Sequence, residues 1–202
     1  MKNRDKAIIK DLQRFRCMSR DDIIDLHFQG RKKAVTCCNT VMKRLRRDGS
    51  VDANVSQQPY IYFPQPSTIR KTSQKIPHFL AIVDVYKQLL QYEKPKLFKV
   101  EPKYGKAYME PDIFTIWRQS PFFIEVQNSV YSKKVMQEKV NRYEFYFHSL
   151  EWQQEPWQPK KSKYFPSLLI VTDTQYDIYS PNFRIFQTKS IHDFMNQMVV
   201  KA

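Results

Sequence analysis

Two acidic residues stand where a strand-borne metal site would need them. Asp112 follows Pro111 inside an apolar stretch, and Glu125 sits in the run Phe122-Phe123-Ile124-Glu125-Val126-Gln127. Both stretches read as strands, so neighbouring strands would bring the two carboxylates together at one sheet edge. Paired carboxylates suit a hard divalent cation bound through oxygen, Mg²⁺ or Mn²⁺. Such a cation generates hydroxide and neutralises charge on a phosphodiester in the transition state. The plainer account of either acid alone is a strand end or a lysine pair. The two together, in this strand order, favour the site.

A second group of residues carries positive charge. The chain has 202 residues, 34 Lys and Arg against 20 Asp and Glu, and a formal charge of +14. Residues 1–76 hold 17 basic and 7 acidic side chains, so +10 of the excess lies in little more than a third of the length. That skew expects a module that meets phosphate, joined to one with another task. Within it, Lys32, Lys33, Thr36, Asn39 and Lys43 fall on the outer faces of a helix expected from about Lys32 to Arg47, with Arg44, Arg46 and Arg47 at its end. A helix of this kind enters the major groove, where Asn can pair with adenine and Lys can reach guanine or phosphate. The plainer account is a solvated basic helix face.

The elements that would position these residues follow from periodicity. Ala7, Ile8, Leu12 and Phe15 recur at helical spacing over 4–15. Ser19 caps a second helix, with Asp21 and Asp22 in its first turn. In the third, Val35, Cys38, Met42 and Leu45 make the apolar face, and Asp48-Gly49 ends it. Two β-type runs follow, 50–55 and 60–63. Three helices and a hairpin is the order of a winged helix-turn-helix. Residues 65–76, poor in large apolar groups and carrying Pro66, read as a linker.

Beyond the linker, 77–92 reads as a helix. Strands are expected at 97–104, within 106–117 and at 121–127. A helix carries Met136, Val140, Tyr143 and Phe147, and an apolar strand runs over 167–172. Edge strands within 176–186 and a helix at 191–199 complete an α-β-β-β-α-β order with additions. The fold class is therefore α+β, with domains at 1–64 and 77–202.

Composition excludes other classes. Hydrophobic residues make up 42% and aromatic residues 14%, so the chain is not a disordered polar one. Only three glycines occur, against a phosphate-binding glycine loop or a dinucleotide fingerprint. Cys17, Cys37 and Cys38 lack the histidine pattern of a zinc site and read as reduced, mostly buried residues. No apolar run approaches a membrane span or a signal-peptide core, which gives the expectation of a soluble cytoplasmic protein.

The order and the spacing resemble the PD-(D/E)XK nuclease superfamily. More narrowly, about residues 5–175 resemble the replication-relaxation family of Gram-positive plasmids and phages. The matching pieces are the helices before Gly30, Leu45-Arg46-Arg47-Asp48-Gly49, Pro77-His78-Phe79-Leu80-Ala81-Ile82-Val83-Asp84-Val85-Tyr86, Glu101, Pro111-Asp112, Phe123-Ile124-Glu125-Val126 and Lys139-Val140-Asn141-Arg142-Tyr143. The resemblance implies a winged helix joined to a nuclease-like domain that nicks or cuts DNA. It implies that Asp112, Glu125 and the Val126 carbonyl ligate the metal, with His78, Asp84 and Glu101 as supporting groups. The superfamily's lysine falls at Gln127, a departure. Its role then passes to a lysine of the following helix, Lys134 or Lys139, or Gln127 suffices, or catalysis is lost. Taken singly, each lysine is more simply an exposed helix residue. Double-stranded DNA is the expected partner, and a homodimer and replication proteins are also admitted. The alternative function is a DNA-binding accessory factor or regulator without chemistry.

Overall fold

The structure is a computed structural model that describes residues 1–200. It is mixed α+β, with two sheets, and divides into two compact units, Met1–Lys87 and Gln88–Ala202.

In the first unit, α1 (Asn3–Phe15) buries Ile8, Leu12 and Phe15 along one stripe. α2 (Arg20–His27) starts at a capping box. The Ser19 hydroxyl accepts from the Asp22 N–H at 3.1 Å, and the Asp22 carboxylate accepts from the Ser19 N–H at 3.0 Å. α3 (Ala34–Arg47) buries Cys38, Met42 and Leu45. It ends at Gly49, whose φ of +71° lets Ser50 N–H reach the Leu45 carbonyl. α3 begins two residues later than its sequence suggests, and Val35 is exposed. An apolar residue in the first turn has too little helix before it to be covered, so the buried stripe starts at Cys38.

The hairpin forms as β2 (Val51–Asn54) and β3 (Ile61–Pro64). A two-residue strand that periodicity cannot register, β1 (Met18–Ser19), joins β3 on its other side in the order β1-β3-β2. Residues 65–75 do not float. Asn54 donates to the Lys71 carbonyl, and Lys71 pairs with Asp52 at 2.9 Å.

α4 (Ile76–Leu90) carries the division of the chain near its C-terminal end. Its first twelve residues sit with the first unit, where the sequence leads one to expect the start of the second. Lys87 Nζ lies 2.7 Å from Asp22 and 3.1 Å from Asp25, and Tyr86 packs on Phe15 with ring centres 5.3 Å apart. These long-range pairings leave no local trace, whereas the proline-rich segment before α4 does.

The second unit is built on five strands in the order β4-β5-β6-β7-β8: Leu97–Val100, Ile113–Trp117, Ser120–Val126, Ser167–Val171 and Ile185–Thr188. The first three are antiparallel; β6, β7 and β8 are parallel. A parallel step needs a crossover, and α5 (Lys133–Ser149) supplies it between β6 and β7. α5 lays Met136, Val140, Tyr143 and Tyr146 on Phe114, Phe123, Leu168 and Ile170. Tyr146 takes the deep place expected of Phe147, which is half-buried. α6 (Ile191–Val200) covers the other face through Phe194 against Phe122 and Phe186.

The strands are shorter than expected. Glu101 takes a positive φ of +45° and ends β4, residues 105–112 are turns and irregular chain, and 176–184 hold no strand. Alternating apolar residues there serve the core from loops: Met109 and Tyr176 are both buried in it.

Candidate functional site

Strand register puts the two acids side by side. Ile113 pairs with Ile124, so Asp112, one residue before β5, lies across from Glu125 in β6. Val126 N–H donates to Asp112 Oδ2 at 2.8 Å and locks the pairing. The β4–β5 register continues the row, since Glu101 N–H donates to the Asp112 carbonyl at 2.8 Å. Alternation along β6 sends Phe123 and Glu125 to the face that α5 covers. Glu125 is only 1% exposed.

A buried carboxylate needs partners, and α5 provides two, one turn apart. Tyr143 O–H donates to Glu125 Oε1 at 2.5 Å, and Lys139 Nζ lies 2.7 Å from Oε2. Positions i and i+4 share one helix face, so both groups reach the same acid. Burial raises the Glu125 carboxyl from 4.5 to about 7; the Lys139 cation pulls it back, and the Asp112 charge adds to the rise. Burial works against the Lys139 ammonium, but Glu125 outweighs it and the net shift is upward. Burial holds the Tyr143 phenol well above its usual range, with Glu125 reinforcing the effect.

The expected residues divide as follows. Asp112, Glu125 and Lys139 come together. Gln127 does not join them through its amide, because Nε2 donates to the Ser129 carbonyl at 2.6 Å. Lys134 is exposed. His78 and Asp84 belong to α4 in the first unit, where His78 meets the edge of the Phe79 ring and Asp84 lies 3.9 Å from Lys87. Tyr143 escaped the sequence reading as a site residue. Its spacing of four from Lys139 was the available signal, masked because an aromatic stripe also reads as core.

Among the described residues no group of three or more His, Cys, Asp and Glu could hold a metal. The donors present are two carboxylates and the Val126 carbonyl. That oxygen set suits one hard divalent cation completed by water, and among the described residues Glu125 Oε2 has no hydrogen-bond partner, only the Lys139 ammonium 2.7 Å away.

In the first unit, Lys32, Lys33, Thr36, Asn39, Lys43, Arg46 and Arg47 are exposed on or just before α3. Arg44 is committed elsewhere, its guanidinium 2.9 Å from the buried Asp5 carboxylate. Arg47 pairs with Asp48 at 3.1 Å.

The replication-relaxation family profile matches residues 9–158. The chain belongs to the replication-relaxation family. The match runs from within α1 to the loop after α5, so it contains Asp112, Glu125, Lys139 and Tyr143. Membership ties this replication-relaxation protein to plasmid or phage replication and DNA processing. No curated protein and no solved structure matches the chain. No helix among the described residues is long and apolar enough to cross a membrane.

Proposed function

We propose that this replication-relaxation protein grips double-stranded DNA with a winged helix and nicks or cuts it with a PD-(D/E)XK-type site. The observation that carries the nuclease reading is Lys139 Nζ at 2.7 Å from Glu125, across the strand pair from Asp112. The helix thereby supplies the lysine that the strand lacks at position 127. Asp112, Glu125 and the Val126 carbonyl would hold Mg²⁺ or Mn²⁺, which supplies an activated water and neutralises phosphate charge. Lys139 would set its ammonium beside the phosphate or the attacking water. Tyr143 keeps Glu125 in one rotamer, and α5 keeps bulk water from the buried acid.

The DNA-binding half rests on the basic α3 face and on the order of helices and hairpin. Lys32, Lys33, Thr36, Asn39, Lys43, Arg46 and Arg47 are its contact residues in this reading. Arg44 is removed from that set by Asp5.

A second reading has its own observation. Without a metal, Tyr143 already donates to one oxygen of the buried acid and the Lys139 ammonium already lies against the other. In that case the domain holds DNA or a replication protein without cleaving. Supercoiled plasmid incubated with the full chain in Mg²⁺ or Mn²⁺ separates the two. The nuclease reading expects relaxed or linear product that is lost in Asp112→Ala, Glu125→Gln and Lys139→Met. An intact plasmid with wild-type protein in both metals leaves the binding role.

A further inference from the structure

A cleft of about 410 Å³ opens in the first unit between α3 and the hairpin. Its walls are Arg20 from the start of α2, Asn39, Lys43 and Arg46 from α3, and Gln58, Tyr60 and Tyr62 from the hairpin. Three of these side chains are cations and none is a carboxylate. Arg20 spends Nε and one terminal nitrogen on the exposed Asp21 at 2.9 Å, which leaves its other terminal nitrogen free of that pair.

Tyr62 is the second observation. It is 4% exposed as a whole residue and lines the cleft, and its hydroxyl oxygen keeps contact with solvent there. A phenol whose ring is packed and whose hydroxyl opens onto a cationic wall is a donor within reach of an acceptor from outside. Its surroundings agree. Burial raises the phenol above its ordinary value, and the nearby Arg46 and Arg20 charges act against that rise.

We infer that this cleft is a seat for one phosphate group, with the Tyr62 hydroxyl donating to a phosphate oxygen and Arg20, Lys43 and Arg46 neutralising it. An anionic oxygen is what a neutral donor flanked by cations recognises. The source is a phosphodiester of a DNA strand, because α3 and the hairpin form the two walls. It rests on the DNA-binding half of the proposed function and adds Arg20, Gln58, Tyr60 and Tyr62 to its surface. The cleavage half has no part in it.

The test uses the full chain in EDTA, so cleavage plays no part. Anisotropy of a labelled duplex of about two helical turns is measured over a salt series for wild type, Tyr62→Phe and Arg46→Gln. Tyr62→Phe keeps the ring in the wall and removes only the hydroxyl. It is expected to weaken binding about tenfold with the salt slope unchanged, because no charge is lost. Arg46→Gln is expected to lower that slope by about one. In a second arm, inorganic phosphate is titrated while NMR follows Tyr62 and Arg46. Duplex binding unchanged in both variants overturns the seat and leaves DNA binding elsewhere on the protein. Phosphate shifting those resonances without any duplex binding overturns the strand as the source. No response to either ligand overturns the seat and the DNA-binding reading together.

Discussion

Replacing Glu125 by glutamine should abolish a pH dependence of stability that the wild-type second unit carries. The Glu125 carboxyl is raised from 4.5 to about 7 in the folded chain. Between those values the native state binds a proton that the unfolded chain has released. The contribution is therefore fully present below about pH 4.5 and is lost as pH rises through about 7. At about 1.4 kcal/mol per tenfold difference in proton affinity, the gap amounts to about 3 kcal/mol. Full burial of the group means that solvent screening takes little from this figure. The glutamine side chain would keep an oxygen for the Tyr143 hydroxyl and has no proton to lose. Lys139, with its side chain 30% exposed, can then turn to water. The assay is urea unfolding at half-unit steps from about pH 4.5 to about 8, read by tryptophan fluorescence. Trp117, Trp152 and Trp157 all lie in the second unit, so the signal reports that unit alone. The quantity to plot is the stability of Glu125→Gln minus that of wild type, in which other titrating groups cancel. It should climb by about 3 kcal/mol with pH, most steeply between about 5 and about 7. A flat difference would refute the argument, because it would mean that the Lys139 pair already holds Glu125 at its ordinary value.

Other expectations can be checked more quickly. Arg44→Ala leaves the buried Asp5 carboxylate without its cation, and Arg44 is itself about a third exposed. The loss is therefore screened and should be about 1–2 kcal/mol, measured by thermal or urea unfolding. The same variant should keep the wild-type salt slope for duplex binding, whereas Lys43→Ala should lower that slope by about one and leave stability near wild type. Loss of slope in Arg44→Ala would place that guanidinium on DNA after all. Ser19→Ala should cost about 1 kcal/mol through loss of the α2 cap, seen as a lower urea midpoint. Burial pushes the Cys17 thiol up to about 12 and the Cys38 thiol up to about 11. A native Ellman titration should therefore show one fast equivalent, from half-buried Cys37, and the other two only after unfolding.

Local pattern was enough for much of this protein. Ile8, Leu12 and Phe15 mark α1, Ser19 and Asp22 mark the start of α2, and Asp48-Gly49 marks the end of α3, because helix periodicity and capping act over about four residues or fewer. The pairing of Asp112 with Glu125 was within reach as well, since two apolar strands joined by a tight turn restrict register. Only the tertiary structure shows that Lys139, and not Gln127 or Lys134, stands against Glu125. That placement depends on how α5 rotates about its axis as Met136, Val140, Tyr143 and Tyr146 settle on the sheet. The same rotation brought Tyr143 to Glu125, a role hidden behind its apolar stripe. It also took long-range contact to withdraw Arg44 to Asp5 and to place the start of α4 with the first unit. Charge pairs and packing between residues 39 or 65 positions apart are set by the folded chain as a whole, and no short window of sequence contains them.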